Sequence, residues 1–118
     1  MDPKSVHTPF FDAASPDIRD RLLAIQSEVI KRVPDALACV SYRMPAFRLG
    51  QVFFYFAAFK AHIGIFPPVR EPEALIKDLQ PYRGPKGNLS FPHHQPLPLD
   101  LIGQVAEALA KKALKSPP

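Results

Sequence analysis

Apolar residues recur with a helical period early in the chain: Ile18, Leu22, Ile25, Val29 and Val33 follow at spacings of four, three, four and four. That spacing lines them up on one face of an α-helix, with Arg19, Asp20, Gln26, Glu28 and Lys31 outside it. Ser15-Pro16 supplies the start, Ser as N-cap and Pro in the first helical position, and Asp17 falls in the first turn, where the helix dipole favours negative charge. Pro34 ends the helix. A second stripe of Leu101, Ile102, Val105 and Leu109 follows Pro98, with Asp100 in its first turn and Lys111, Lys112 and Lys115 near its end. Ser116-Pro117-Pro118 stops it. Residues 73–79 predict a short helix that buries Leu75, Ile76 and Leu79 and is closed by Pro81.

Between these helices the pattern changes. Residues 52–59 (VFFYFAAF) are apolar at both parities, which predicts a strand with neither face open to water. Lys60-Ala61-His62 turns the chain, and His62–Phe66 returns as the partner strand until Pro67-Pro68. Residues 42–49 read as extended, with Pro45 implying an edge position or a bulge, because proline cannot donate to a ladder. Leu49-Gly50-Gln51 is a turn, residues 89–91 a brief strand, and residues 35–40 a short helical turn. Adjacent strands joined by short turns predict an α+β class, a mainly antiparallel sheet with N-terminal and C-terminal helices packed on one face. Residues 1–14 carry no period and read as a partly ordered arm, leaving residues 15–118 as a single domain.

Composition narrows the picture. A chain of 118 residues, 47% hydrophobic and 22% charged, is long enough to bury its own core and too apolar to be wholly disordered. No apolar run approaches the ~20 residues of a membrane helix, and the first residues lack a signal peptide's apolar stretch. A cytoplasmic protein with no membrane partner is expected. Cys39 is the single cysteine, so no internal disulfide or multi-cysteine metal site can form.

The net charge of +4 is modest and the two signs are mixed along the chain, which argues against a nucleic-acid partner. One stretch is an exception. Residues 36–70 contain no Asp or Glu but hold Arg43, Arg48, Lys60, His62 and Arg70. Strands disfavour carboxylates, which accounts for the stretch in one way; a cationic sheet surface suited to anions accounts for it in another.

Candidate chemistry is sparse. Neither Ser41, Ser90 nor Cys39 sits in a nucleophile signature, so no catalytic residue is assigned and no enzyme is expected. Gly84-Pro85-Lys86-Gly87 lacks the strand-to-helix context of a phosphate loop and reads as a turn or an anion-binding loop. His93 and His94 are neighbours, which on a strand would point to opposite faces. Asp17 and Asp20 are helical neighbours, with Glu28 about three turns beyond Asp17, so they form either a solvated helix face or oxygen ligands for a hard cation or iron.

Aromatic residues cluster in residues 42–66. If helices cover one sheet face only, alternate rings of residues 52–59 face the arm, a ligand or another subunit, and a homodimer would meet that need as well. In the ligand reading, Tyr42, Phe47 and Tyr55 line a sheet face with Arg43, Lys60, His62 and Lys86 at its rim, a setting for a small anionic ligand.

These segments also resemble a known family. Ser41-Tyr42, Met44-Pro45-Ala46-Phe47, residues 55–60 (YFAAFK), His62-Ile63-Gly64, Lys86-Gly87, Phe91-Pro92 and Pro96-Leu97-Pro98 together are similar to the YdhG-like family of small bacterial domains, mostly of unknown function. In that family a glycine often precedes Met-Pro; here Arg43 stands there. The resemblance implies an α+β fold. One branch is described as a frataxin-like intracellular iron chaperone that delivers iron for iron–sulfur cluster or haem assembly to a client protein. Carried over to this chain, its iron ligands would be Asp17, Asp20 and Glu28.

Overall fold

The computed structural model describes residues 6–115. Four helices and five strands alternate in blocks: α1 (Thr8–Asp12), α2 (Pro16–Arg32), β1 (Leu37–Ser41), β2 (Met44–Leu49), β3 (Gln51–Ala58), β4 (His62–Phe66), α3 (Glu73–Asp78), a 3-10 turn (Gln80–Tyr82), β5 (Leu89–Pro92) and α4 (Leu99–Lys115). The strands form one antiparallel sheet in sequential order β1-β2-β3-β4-β5. This is the expected α+β architecture. No helix among the described residues is long and apolar enough to cross a membrane.

Both long helices lie where their apolar stripes predict. Leu22, Ile25 and Val29 of α2 and Ile102, Val105, Ala106 and Leu109 of α4 are buried together against one sheet face. That face presents Phe47, Phe54, Phe56, Ile63, Ile65, Leu89 and Phe91, each nearly or wholly shielded from water. Ser15 precedes α2 in an extended conformation, but its side chain makes no capping bond; its carbonyl accepts from Arg19 N–H at 2.8 Å. Arg32 pairs with Glu28 one turn back on α2 at 2.7 Å and reaches across to Asp100 at 2.6 Å and Glu107 at 2.8 Å on α4, linking the two helices. Beside this cluster a Cβ on Gly103 would lie 2.6 Å from Glu28 Oε2.

Three expectations are corrected. Residues 35–40 do not form a helical turn: residues 37–41 are edge strand β1, paired with β2 from Leu37↔Arg48 to Ser41↔Met44. The stretch is short and has no apolar period of its own, and pairing decides its conformation. Pro45 does not mark an edge strand, since β2 lies between β1 and β3. The ladder to β3 begins only at Ala46↔Tyr55, beyond the proline, and the bulge lies further on, where the register slips between Phe47 and Arg48 and leaves Phe53 unpaired. Gln26, expected on the outer side of α2, is buried.

Gln26 is buried because it meets His7. The part of the N-terminal arm before residue 6 lies outside the described residues; His7 itself is fully buried between α2 and the sheet. Its Nε2–H faces the carbonyl oxygens of Cys39 at 3.0 Å and Ala46 at 2.9 Å, and its Nδ1 accepts from Gln26 Nε2 at 2.9 Å. The rings of Phe11, Phe47 and Phe56 surround the imidazole at centroid distances of 5.7, 5.2 and 5.5 Å. One histidine thus ties α1 to β1, β2 and α2.

No charged group compensates for a second proton in that setting. Burial holds the His7 imidazole below the usual histidine pKa, outweighing the two carbonyl contacts that favour the charged form. A histidine kept neutral in the fold binds its proton first in the unfolded chain, near pH 6.5, so this contribution to stability is complete above that pH and declines below it. Urea unfolding at a series of pH values is expected to show stability falling as pH drops below about 6.5, by at most about 1.4 kcal/mol per pH unit. In His7→Phe that decline is expected to flatten.

Candidate functional site

Antiparallel pairing sets which side chains share the sheet face opposite the helices. Ala46, Tyr55 and Phe66 are successive Cα partners across β2, β3 and β4, and Ala57, Gly64 and Ser90 form the next row across β3, β4 and β5. No described helix packs on this face, so residues 52–59 do not have both faces shut off from water as their pattern predicts; the face is covered only in part, by its own rings. A Cβ on Gly64 would lie 3.0 Å from both the Phe59 and Phe66 rings, so glycine is what lets the two rings lie against the sheet. Phe59 and Phe66 meet edge-on at 6.5 Å, Phe59 stacks on His62 at 5.1 Å, and Tyr42 sits 5.9 Å from Tyr55. The result is an aromatic band across the open face, with Tyr42 82% and Phe59 44% exposed.

One end of the band is a tight turn. Tyr42 and Arg43, which join β1 to β2, have φ of 51° and 60°. Two successive left-handed residues form the type I′ geometry that suits the strand twist, and asparagine and glycine favour it. For residues with a Cβ the conformation costs on the order of 1–2 kcal/mol each. The glycine often found ahead of Met-Pro in YdhG-like sequences is the residue this backbone favours, and Arg43 occupies it under strain.

Beside this turn lies a groove of about 600 Å³. Its walls are α1, through Pro9, Phe10 and Ala13, and the turn residues Tyr42 to Pro45; Leu22 and the end of β3, Ala57 to Phe59, complete it. Two alanines at the end of an otherwise aromatic strand leave the space open. Among the described residues, Arg43 is the only charged one in the lining. A volume in the range of small-molecule sites, apolar walls and one cation at the mouth suit an anion with an apolar body.

The other ligand-site candidates are distributed differently. Tyr55 is half-buried in the aromatic band next to Tyr42. His62 and Phe66 line a smaller hollow of about 360 Å³ with Gly84 and Asn88 of the glycine-containing loop. Lys60 and Lys86 are exposed, one in the β3–β4 turn and one in that loop. Phe47 does not belong to the face: it is fully buried on the helix side, stacked on Phe56 at 6.0 Å. Residues 42–49 alone do not reveal which parity points to the helices; the pairing Phe47↔Phe54 decides it. The contribution of α1 to the groove was missed, because residues 1–14 carry no period and Phe10 has no sequence signal beyond being apolar.

The carboxylates on α2 do not converge. Asp17 and Asp20 are exposed, while Glu28 is half-buried and held by Arg32. Among the described residues, no group of three or more His, Cys, Asp or Glu comes together where a metal ion could be held. The Cys39 thiol is half-buried, and burial pushes its pKa up, with only partial opposition from Arg48.

With the geometry in view, comparison with known proteins bears on the fold. No protein-family model matches the sequence, and no curated protein matches it. Among solved structures, the crystal structure of a DUF1801 family protein, YdhG of Bacillus subtilis, aligns with a TM-score of 0.78 over 95% of this chain and 94% of that one, at 16% identity. The two chains share one fold. The alignment spans both chains almost end to end, in keeping with the α+β fold that the YdhG-like resemblance implied.

The strained turn gives a direct test of what Arg43 costs. Arg43→Gly is expected to stabilise the protein by about 1 kcal/mol in urea unfolding, since glycine adopts positive φ without the Cβ penalty. A destabilised variant would contradict that reading of the turn.

Proposed function

We propose that this chain is a non-enzymatic binding domain that takes a small anionic ligand with an apolar body in the groove between α1 and the β1–β2 turn. The observation that carries this reading is the position of Arg43, the single charge among the described residues of an apolar lining, presented by a backbone conformation that an arginine adopts only at a cost. A guanidinium at the mouth of a partly desolvated groove offers paired donors to a carboxylate or phosphate, while Phe10, Tyr42 and Phe59 provide apolar contact for the rest of the ligand.

An iron-carrying role through Asp17, Asp20 and Glu28 has less support. Glu28 is committed to Arg32, and among the described residues the two aspartates have no third ligand beside them. Exposed carboxylates of this kind would hold ferrous ion no better than any acidic helix face.

Thermal-shift and calorimetric titration with octanoate, phenylbutyrate, octanol and ferrous ion separates the readings. The carboxylates are expected to bind and raise the melting temperature, octanol to bind at least about tenfold more weakly because it lacks the charge-assisted contact, and ferrous ion to have no effect. Arg43→Ser is expected to bring the carboxylates down to the level of octanol. Equal binding of octanoate and octanol, or carboxylate binding unchanged by Arg43→Ser, would overturn the proposal.

A further inference from the structure

The fold gathers the carboxylates of the described residues into the helix layer, while cations occur in both layers. Every Asp and Glu among the described residues lies on a helix or in a segment flanking one, and none occurs in residues 36–70 or 79–99, which supply all five strands and the turns between them. The sheet layer therefore carries cations only. Arg43 and Lys60 lie in its turns, Arg48 projects from β2, and Lys86 sits on the loop beside Phe66 and His62. The helix layer, which holds the carboxylates, is on the opposite side of the sheet. The sign mixing that argues against a nucleic-acid partner in the linear sequence is thus absent from this face.

We propose that the open sheet face is a binding platform for single-stranded nucleic acid, with bases stacked on the aromatic band and phosphates drawn to the cationic rim. The platform shares Tyr42, Arg43 and Phe59 with the groove, while Tyr55, Phe66, Lys60 and Lys86 belong to the face alone. Rings follow one another across the face at 5.9 Å for Tyr42 and Tyr55 and 6.5 Å for Phe59 and Phe66, while Tyr55 and Phe66 are Cα partners on adjacent strands. Aromatic rings set in a row on a cationic surface accept successive unpaired bases with little regard to their identity, because each base has a π-face. A duplex keeps its bases stacked on one another and offers such a face only its phosphates. An acidic protein would meet the same cations, but a single strand matches the alternation of rings and cations more closely, since each nucleotide carries one planar base and one phosphate. A single strand satisfies both features.

Fluorescence anisotropy with a labelled oligothymidine of about twelve nucleotides, at about 50 mM and about 200 mM salt, tests the proposal. The variants Tyr55→Ala and Phe66→Ala lie outside the groove lining, so their effect is distinct from any on the small-anion site. The expected results are binding at low salt that weakens as salt rises, a blunt duplex of equal length bound at least about tenfold more weakly, and a loss of about tenfold in each alanine variant. Tyr55→Phe and Phe66→Tyr are expected to retain binding within about twofold, which separates the stacking role from a folding defect. Lys60→Glu is expected to weaken binding and flatten the salt dependence. Absence of binding at low salt, a duplex bound as tightly as the single strand, or alanine variants that fold and bind like the parent would overturn it. So would loss of binding in Tyr55→Phe and Phe66→Tyr as severe as in the alanines.

Discussion

Among the described residues, the second parity of β3 has no helix to cover it, and much of the molecule follows from that constraint. α2 and α4 bury Phe54 and Phe56 on one side of the strand, leaving Tyr55 and Ala57 on the other. An aromatic strand exposed on one side would be expensive in water, at roughly 1.5–3 kcal/mol per large side chain left uncovered. This sheet lowers that cost by alternating large rings with Ala46, Ala57 and Gly64, so that rings from neighbouring strands lie over the small residues. Cover of this kind is partial. It shields Ala46 and Gly64 while leaving the outer surfaces of the rings in water, and the band and groove both arise from that incomplete cover.

His7 works on the same problem from the other side. The N-terminal arm could not close over the end of the sheet without something to hold it, and the contacts of one neutral imidazole with two strand carbonyls and Gln26 do so at long sequence separation. Phe10 and Ala13 form a groove wall where His7 and the buried Phe11 ring anchor α1. The groove thus depends on a buried polar contact as well as on apolar packing, and its charge comes from a turn whose backbone would suit glycine better.

Much of this architecture was legible in the sequence. The stripes of α2 and α4 depend on local spacing alone, and residues 52–59 stand out because no helix would carry aromatic residues at both parities between such turns. What was hidden depends on pairing between distant residues. β1 takes its form from β2 and has no period of its own. Phe47 belongs to the core or the open face according to a register that the bulge at Phe47 and Arg48 sets, so its place could not be read from residues 42–49. Gln26 sits where an outward polar residue is expected, and only the arrival of His7, 19 positions earlier, makes it an inner one. The acid-free stretch from 36 to 70 was visible, but its continuation through residues 79–99 matters only once β5 joins the same sheet.

Among the described residues, one sheet face is covered by helices and the other only by its own rings. Hydroxyl-radical footprinting of the protein alone, read residue by residue by mass spectrometry, tests this most directly. Tyr42 and Phe59 are expected to be oxidised rapidly, Tyr55 and Phe66 at intermediate rates, and Phe47, Phe54, Phe56 and Phe91 to be strongly protected. Protection of Tyr42 and Phe59 equal to that of the core phenylalanines would mean that another segment or a second copy occupies the face, and would contradict the account.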